Sequence, residues 1–83
     1  MYADDDDKSW RDDCFNLIRV SAGAIAEYGP MVVDDDTPVG WALSDLREVN
    51  RDLLQALEND DEQAAVILAA EAKILLIDIP RLL

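Results

Sequence analysis

Apolar residues recur at steps of three and four along three stretches of the chain, which predicts three helices. The first helix runs from about Asp7 to Tyr28, where Gly29 and Pro30 end it, with Gly29 expected as a left-handed cap. Gly23 lies inside this helix, where glycine costs about 1 kcal/mol relative to alanine, so a close backbone approach is expected there. The apolar stripe of this helix consists of Trp10, Cys14, Leu17, Ile18, Ser21, Ala22, Ile25 and Tyr28.

The second predicted helix spans residues 38–58 and has the clearest start. Thr37 is a favourable N-cap residue, and Pro38 suits the first helical position because no hydrogen bond is required of its nitrogen. Its broad apolar stripe comprises Val39, Ala42, Leu43, Leu46, Val49, Leu53, Leu54, Ala56 and Leu57. Asn50 falls within this stripe. It is expected either to be buried and hydrogen-bonded, fixing the register of a helical assembly, or to reach water at the edge of the stripe.

The third predicted helix spans residues 60–79, with Asn59 and Glu62 as a capping box and an end before Pro80. At 100° per residue it presents two opposite apolar stripes instead of one. The first stripe consists of Ala65, Leu68, Ala69, Ala72, Leu75, Leu76 and Ile79. The second stripe consists of Val66, Ile67, Ala70, Ile74 and Ile77.

The fold expected from these elements is an all-α, antiparallel three-helix bundle formed by one domain over residues 1–83. Helices 1 and 2 can cover only one side of helix 3. Either helix 3 is wedged so deeply that both stripes are buried, or the second stripe is an interface. We favour the interface, and expect the bundle to be completed by homodimerisation through helix 3.

A candidate partner-binding surface lies on the polar side of helix 2. It comprises Trp41, Asp45, Glu48 and Asp52, and an exposed tryptophan is a common anchor in protein interfaces. In the alternative interpretation, the apolar segment 31–33 or the N-terminus covers Trp41.

The chain has 19 acidic and seven basic residues, a net charge of −12, one cysteine and no histidine. Such a charge repels nucleic acid and anionic lipid and attracts basic proteins. One cysteine cannot form an intrachain disulfide, and without histidine neither an ordinary zinc site nor a neutral-pH general base is expected. The acidic residues near the second turn, Glu58, Asp61 and Glu62, lack the pattern of a metal site. We therefore expect no enzyme activity, no metal and no cofactor.

Residues 4–8, DDDDK, spell the recognition sequence of enteropeptidase. The acidic segment 1–8 is therefore either a tag remnant or a native helix start, where carboxylates offset the helix dipole. No segment resembles a secretory signal or a membrane span, so a cytoplasmic location without membrane contact is expected.

The leading functional hypothesis is a small non-enzymatic regulatory protein that self-associates and binds another protein, one that carries basic groups. Direct binding of nucleic acid is not expected. The alternative is a nucleic-acid mimic that inhibits a basic DNA- or RNA-binding protein. Its carboxylates would include Asp12, Asp13, Glu27, Asp34, Asp35, Asp36, Asp45, Asp52, Asp60 and Asp61.

Overall fold

The computed structural model describes residues 2–34 and 36–83, with side chains from Ser9 onward. Its elements are α1 (Tyr2–Tyr28), a 3₁₀ turn (Gly29–Met31), α2 (Pro38–Glu58) and α3 (Glu62–Leu82). All three helices pack against one another, and no strand occurs within the described ranges. The predicted all-α three-helix architecture is confirmed. The bundle is a rod of 50 × 18 × 17 Å, measured on Cα atoms.

Helix α1 begins earlier than the predicted start at about Asp7: its backbone is already helical at Tyr2. The side chains of segment 1–8 and all of Asp35 lie outside the described residues, so the expectations for DDDDK and Asp35 are not addressed. Two glycine predictions are wrong. Apart from the adjacent backbone of α1 itself, no atom of the described residues lies within 4 Å of a Cβ built on Gly23, so no neighbouring element approaches it closely. Gly29 does not have a positive φ, since α1 ends in a 3₁₀ turn instead of a left-handed cap.

Helix α2 has the predicted bounds. The Thr37 side chain accepts a hydrogen bond from the backbone N–H of Gly40 at 3.1 Å and donates one to the Asp34 carbonyl at 2.8 Å. Pro38 is the first helical residue, as expected. The Thr37 hydroxyl therefore ties the end of the connection to the start of α2.

The turn between α2 and α3 differs from the prediction in its N-cap. Asn59 caps the end of α2, and Asp61 caps α3 by accepting a hydrogen bond from the Ala64 N–H at 3.2 Å. Between them, Asp60 has a φ of 56°, the left-handed region that aspartate tolerates better than most residues. The Asp60 carboxylate also accepts a hydrogen bond from Arg11 of α1, which ties α1 to this turn.

The C-terminus of α3 also differs, because the helix continues through Pro80 to Leu82. A proline removes one backbone donor and crowds the preceding turn, which usually ends or kinks a helix. Pro80 lies in the last turn, where few hydrogen bonds remain to be lost. The predicted end at Ile79 was wrong for this reason.

The core is built mainly from the leucines of α2 and the alanines of α3. Leu46 and Leu53 of α2 are fully buried, as are Ala65, Ala72 and Ile79 of α3. Leu54, which belongs to the predicted apolar stripe of α2, is 46% exposed. The core side of α3 therefore combines small alanines with Ile79, while Leu68, Leu75 and Leu76 pack against the core from its margin.

Candidate interaction surfaces

The second stripe of α3 lies on the outside of the bundle. Val66, Ile67, Ile74 and Ile77 are 55–60% exposed, and Ala70 is exposed with them. These five residues, the α3 stripe, cover eleven helical steps, or about 16 Å along the axis. The expectation that α1 and α2 cover only one side of α3 is confirmed, so the deeply wedged alternative is wrong for the single chain. Whether a second chain covers the α3 stripe stays a prediction.

The partner-binding candidates of α2 share one line along that helix. Trp41, Asp45, Glu48 and Asp52 are separated by four, three and four residues, which places them within a narrow arc. Trp41 is 56% exposed, and the segment 31–33 does not bury it, since Met31 and Val33 are themselves exposed. Asp45 and Glu48 are exposed, and Asp52 is partly buried. We call this set the α2 acidic line.

A groove of about 480 Å³ separates the α2 acidic line from the α3 stripe. Its apolar lining comes from Val49 of α2 and from Leu68, Leu75 and Ile74 of α3. Its charged lining consists of Asp45, Glu48, Asp52 and Glu71. Ile74 belongs to both the groove and the α3 stripe, so the two candidate surfaces are continuous.

Arg51 is the cation that neutralises part of the α2 acidic line. It lies 4.0 Å from Glu48 and 3.8 Å from Asp52, and its side chain is 73% exposed. Exposed pairs of this kind contribute little to stability. Since Glu71 makes no ion pair with any described side chain, the groove keeps an excess of negative charge.

Asn50 lies between its two expected environments. The residue is partly buried, and its Oδ1 atom is shielded from solvent without a hydrogen-bond donor among the described residues. It therefore neither reaches water through this atom nor completes a buried hydrogen bond. Its role in specifying register stays a prediction.

Cys14 is buried in the core, on the side of α1 where the apolar stripe was predicted. Burial raises the pKa of its thiol, the charge of Asp13 raises it further, and Lys73 lowers it. A raised pKa leaves less of the reactive thiolate at neutral pH, so the position suits packing better than chemistry. Among the described residues, no group of three acidic or cysteine side chains could hold a metal ion.

A third exposed apolar surface, between α1 and α2, was not predicted from the sequence. Phe15 is 57% exposed and lines a shallow groove of about 320 Å³ together with Leu54 and Leu57. Phe15 lies at the margin of the stripe of α1, and Leu54 lies at the margin of the stripe of α2. In the sequence, the only sign of this surface was that each of two helices carries an apolar residue at the margin of its stripe.

None of the described helices is long and apolar enough to cross a membrane. Comparison with protein-family models, with curated proteins and with solved structures gave no match.

Proposed function

We propose that the chain is a non-enzymatic interaction protein that self-associates through the α3 stripe and binds a second protein along the α2 acidic line. One observation carries the proposal: Ile67, Ile74 and Ile77 of α3 are exposed to solvent, whereas the core side of the same helix includes the fully buried alanines Ala65 and Ala72. A helix serving only a monomer would gain more by the reverse arrangement, because burying one isoleucine side chain contributes about 1.5–3 kcal/mol.

Self-association is tested by light scattering coupled to size exclusion at high micromolar concentration in 150 mM NaCl. We expect a mass of twice the 9.2 kDa of one chain. Ile74→Asp should give the monomer, because it places a charge in the middle of the α3 stripe. Val33→Asp is the matched control, since it adds the same charge at a fully exposed position of the connection and should leave the dimer intact. A monomeric wild-type chain under these conditions would refute self-association.

The α2 acidic line and the groove beside it fit a basic, amphipathic helical segment of another protein. The apolar lining of the groove would take one face of such a helix, and the carboxylates would pair with its lysines or arginines. A nucleic-acid mimic would need carboxylates in place of the apolar lining. For this reason the peptide-binding interpretation is preferred for this surface.

Partner binding is tested with an 18-residue synthetic helix of leucine and lysine, titrated into a Trp10→Phe variant so that Trp41 is the sole tryptophan. We expect a shift in the Trp41 emission and an affinity that falls as salt rises. The triple variant Asp45→Asn, Glu48→Gln, Asp52→Asn should bind about tenfold more weakly. In the control variant, Glu27, Glu58 and Glu62 are changed to Gln, which removes the same charge elsewhere. Equal losses in both variants would show that net charge attracts the peptide, without a defined site.

A further inference from the structure

We propose that the partner of the α3 stripe is a second copy of this chain whose α3 runs parallel to the first, with Lys73 of each chain paired to Asp78 of the other. This inference rests on the self-association proposed above and adds its geometry. It follows from the placement of three charges around the α3 stripe.

The exposed residues of α3 follow a heptad pattern over residues 66–78. Ile67 and Ile74 occupy a positions, and Ala70 and Ile77 occupy d positions. The buried residues Ala72 and Ile79 fall at f, on the opposite side of the helix. One face of α3 therefore serves its own bundle, and the other has the spacing of a two-stranded helical seam.

The two edges of the α3 stripe carry opposite charges. Glu71 and Asp78 occupy e positions, and Glu71 lines the groove beside α2. Lys73 occupies a g position on the other edge. It lies on the side of α1, near enough to Cys14 for its charge to lower the pKa of that thiol. All three side chains are exposed, and none forms an ion pair with a described side chain. Each is free to interact with a second chain.

Helix orientation decides which edges meet. When two identical helices pack in parallel, the two-fold axis runs along them, and the g edge of each chain faces the e edge of the other. A g residue then lies near the e residue five positions later in the partner chain. Lys73 and Asp78 have this spacing, so a parallel pair forms two symmetric ion pairs between the chains.

An antiparallel pair would place like charges together. Its two-fold axis is perpendicular to the helices, so each edge meets the same edge of the other chain. Glu71 and Asp78 of both chains would then face one another, and both α2 acidic lines would lie on that side. With a net charge of −12 on each chain, this repulsion favours the parallel arrangement.

Charge reversal distinguishes the two orientations. In a parallel dimer, Lys73→Glu and Asp78→Lys should each raise the dissociation constant roughly tenfold, and the double variant should restore it. In an antiparallel dimer, Asp78→Lys alone would tighten binding, because the new lysine would face Glu71 of the partner. Asp36→Lys and Arg19→Glu are controls that make the same charge changes on exposed side chains outside α3.

Disulfide trapping gives an independent readout. In a Cys14→Ala background, Ala70→Cys places identical d positions face to face in a parallel pair, so oxidised glutathione should convert the dimer to a covalent one. A mixture of the single variants Ile67→Cys and Ile77→Cys should form the mixed disulfide only in an antiparallel pair. A dimer that forms the 67–77 disulfide but not the 70–70 disulfide would overturn the parallel arrangement and leave self-association standing. A monomer in light scattering would overturn both.

Discussion

Asp60 shows how a single backbone angle shapes the turn between α2 and α3. Its φ of 56° lies in a region that costs an alanine about 1–2 kcal/mol. Since the turn between Glu58 and Glu62 is short, the left-handed residue allows the chain to reverse at once. The ion pair between Asp60 and Arg11 is exposed, so its contribution to stability is smaller than the free-energy cost of this backbone conformation for an ordinary residue.

We therefore expect Asp60→Gly to be more stable than Asp60→Ala by about 1 kcal/mol in urea unfolding. Both variants lose the ion pair with Arg11, so the difference between them isolates the backbone. At Asn59, whose φ is −88°, the glycine variant should have no such advantage over the alanine variant. Equal stabilities at position 60 would contradict a left-handed conformation there.

Ser21 gives a second prediction at this scale. Its side chain is fully buried, and its hydroxyl has no hydrogen-bond partner among the described residues. An unsatisfied buried polar group costs about 1–3 kcal/mol, so Ser21→Ala should raise the free energy of unfolding by about 1 kcal/mol. Ser44→Ala, on the exposed face of α2, measures the gain from helix propensity alone. A gain at Ser21 no larger than at Ser44 would show that the hydroxyl is satisfied.

At the scale of the helices, Pro80 is an unfavourable residue within α3. The helix runs on to Leu82 even though Pro80 cannot donate to the carbonyl four residues earlier. Pro80→Ala restores this donor and should raise the free energy of unfolding by about 1 kcal/mol, with more helical signal in circular dichroism. Pro38→Ala is the control, since the first position of α2 needs no donor. Loss of stability in Pro80→Ala would mean that the fixed φ of proline is needed there.

The helix boundaries show what local sequence can predict. The bounds of α2 were predictable because Thr37, Pro38 and a regular stripe indicate the same start. The start of α3 was not, because Asn59, Asp60 and Asp61 can all cap a helix. Only the path of the turn selects Asp61. The exposure of the α3 stripe was predictable because α3 has two apolar sides and the other two helices can cover only one of them. The exposure of Phe15 and Leu54 instead depends on how α1 and α2 lie against each other.

At the scale of the molecule, the charge of −12 opposes both folding and association. Salt screens repulsion between exposed charges, so the thermal midpoint should rise by about 5 °C between 20 and 500 mM NaCl. The measurement should be made on Ile74→Asp, so that dimer formation does not contribute. A midpoint that falls with salt would show that attractive pairs, such as Arg11 with Asp60, outweigh the repulsion.

The rod shape of the bundle has a consequence for small-angle X-ray scattering. Helix α3 has 21 residues, about 31 Å, which exceeds both short dimensions of the bundle, so it runs along the 50 Å axis. Pairing through its side therefore widens the particle without lengthening it. The longest interatomic distance of the dimer should therefore stay close to that of Ile74→Asp, while the cross-sectional radius increases. Association through the ends of the rod would instead nearly double its length and leave the cross-section unchanged. The scattering curve thus reports which side of the molecule is occupied, without any label or crosslink.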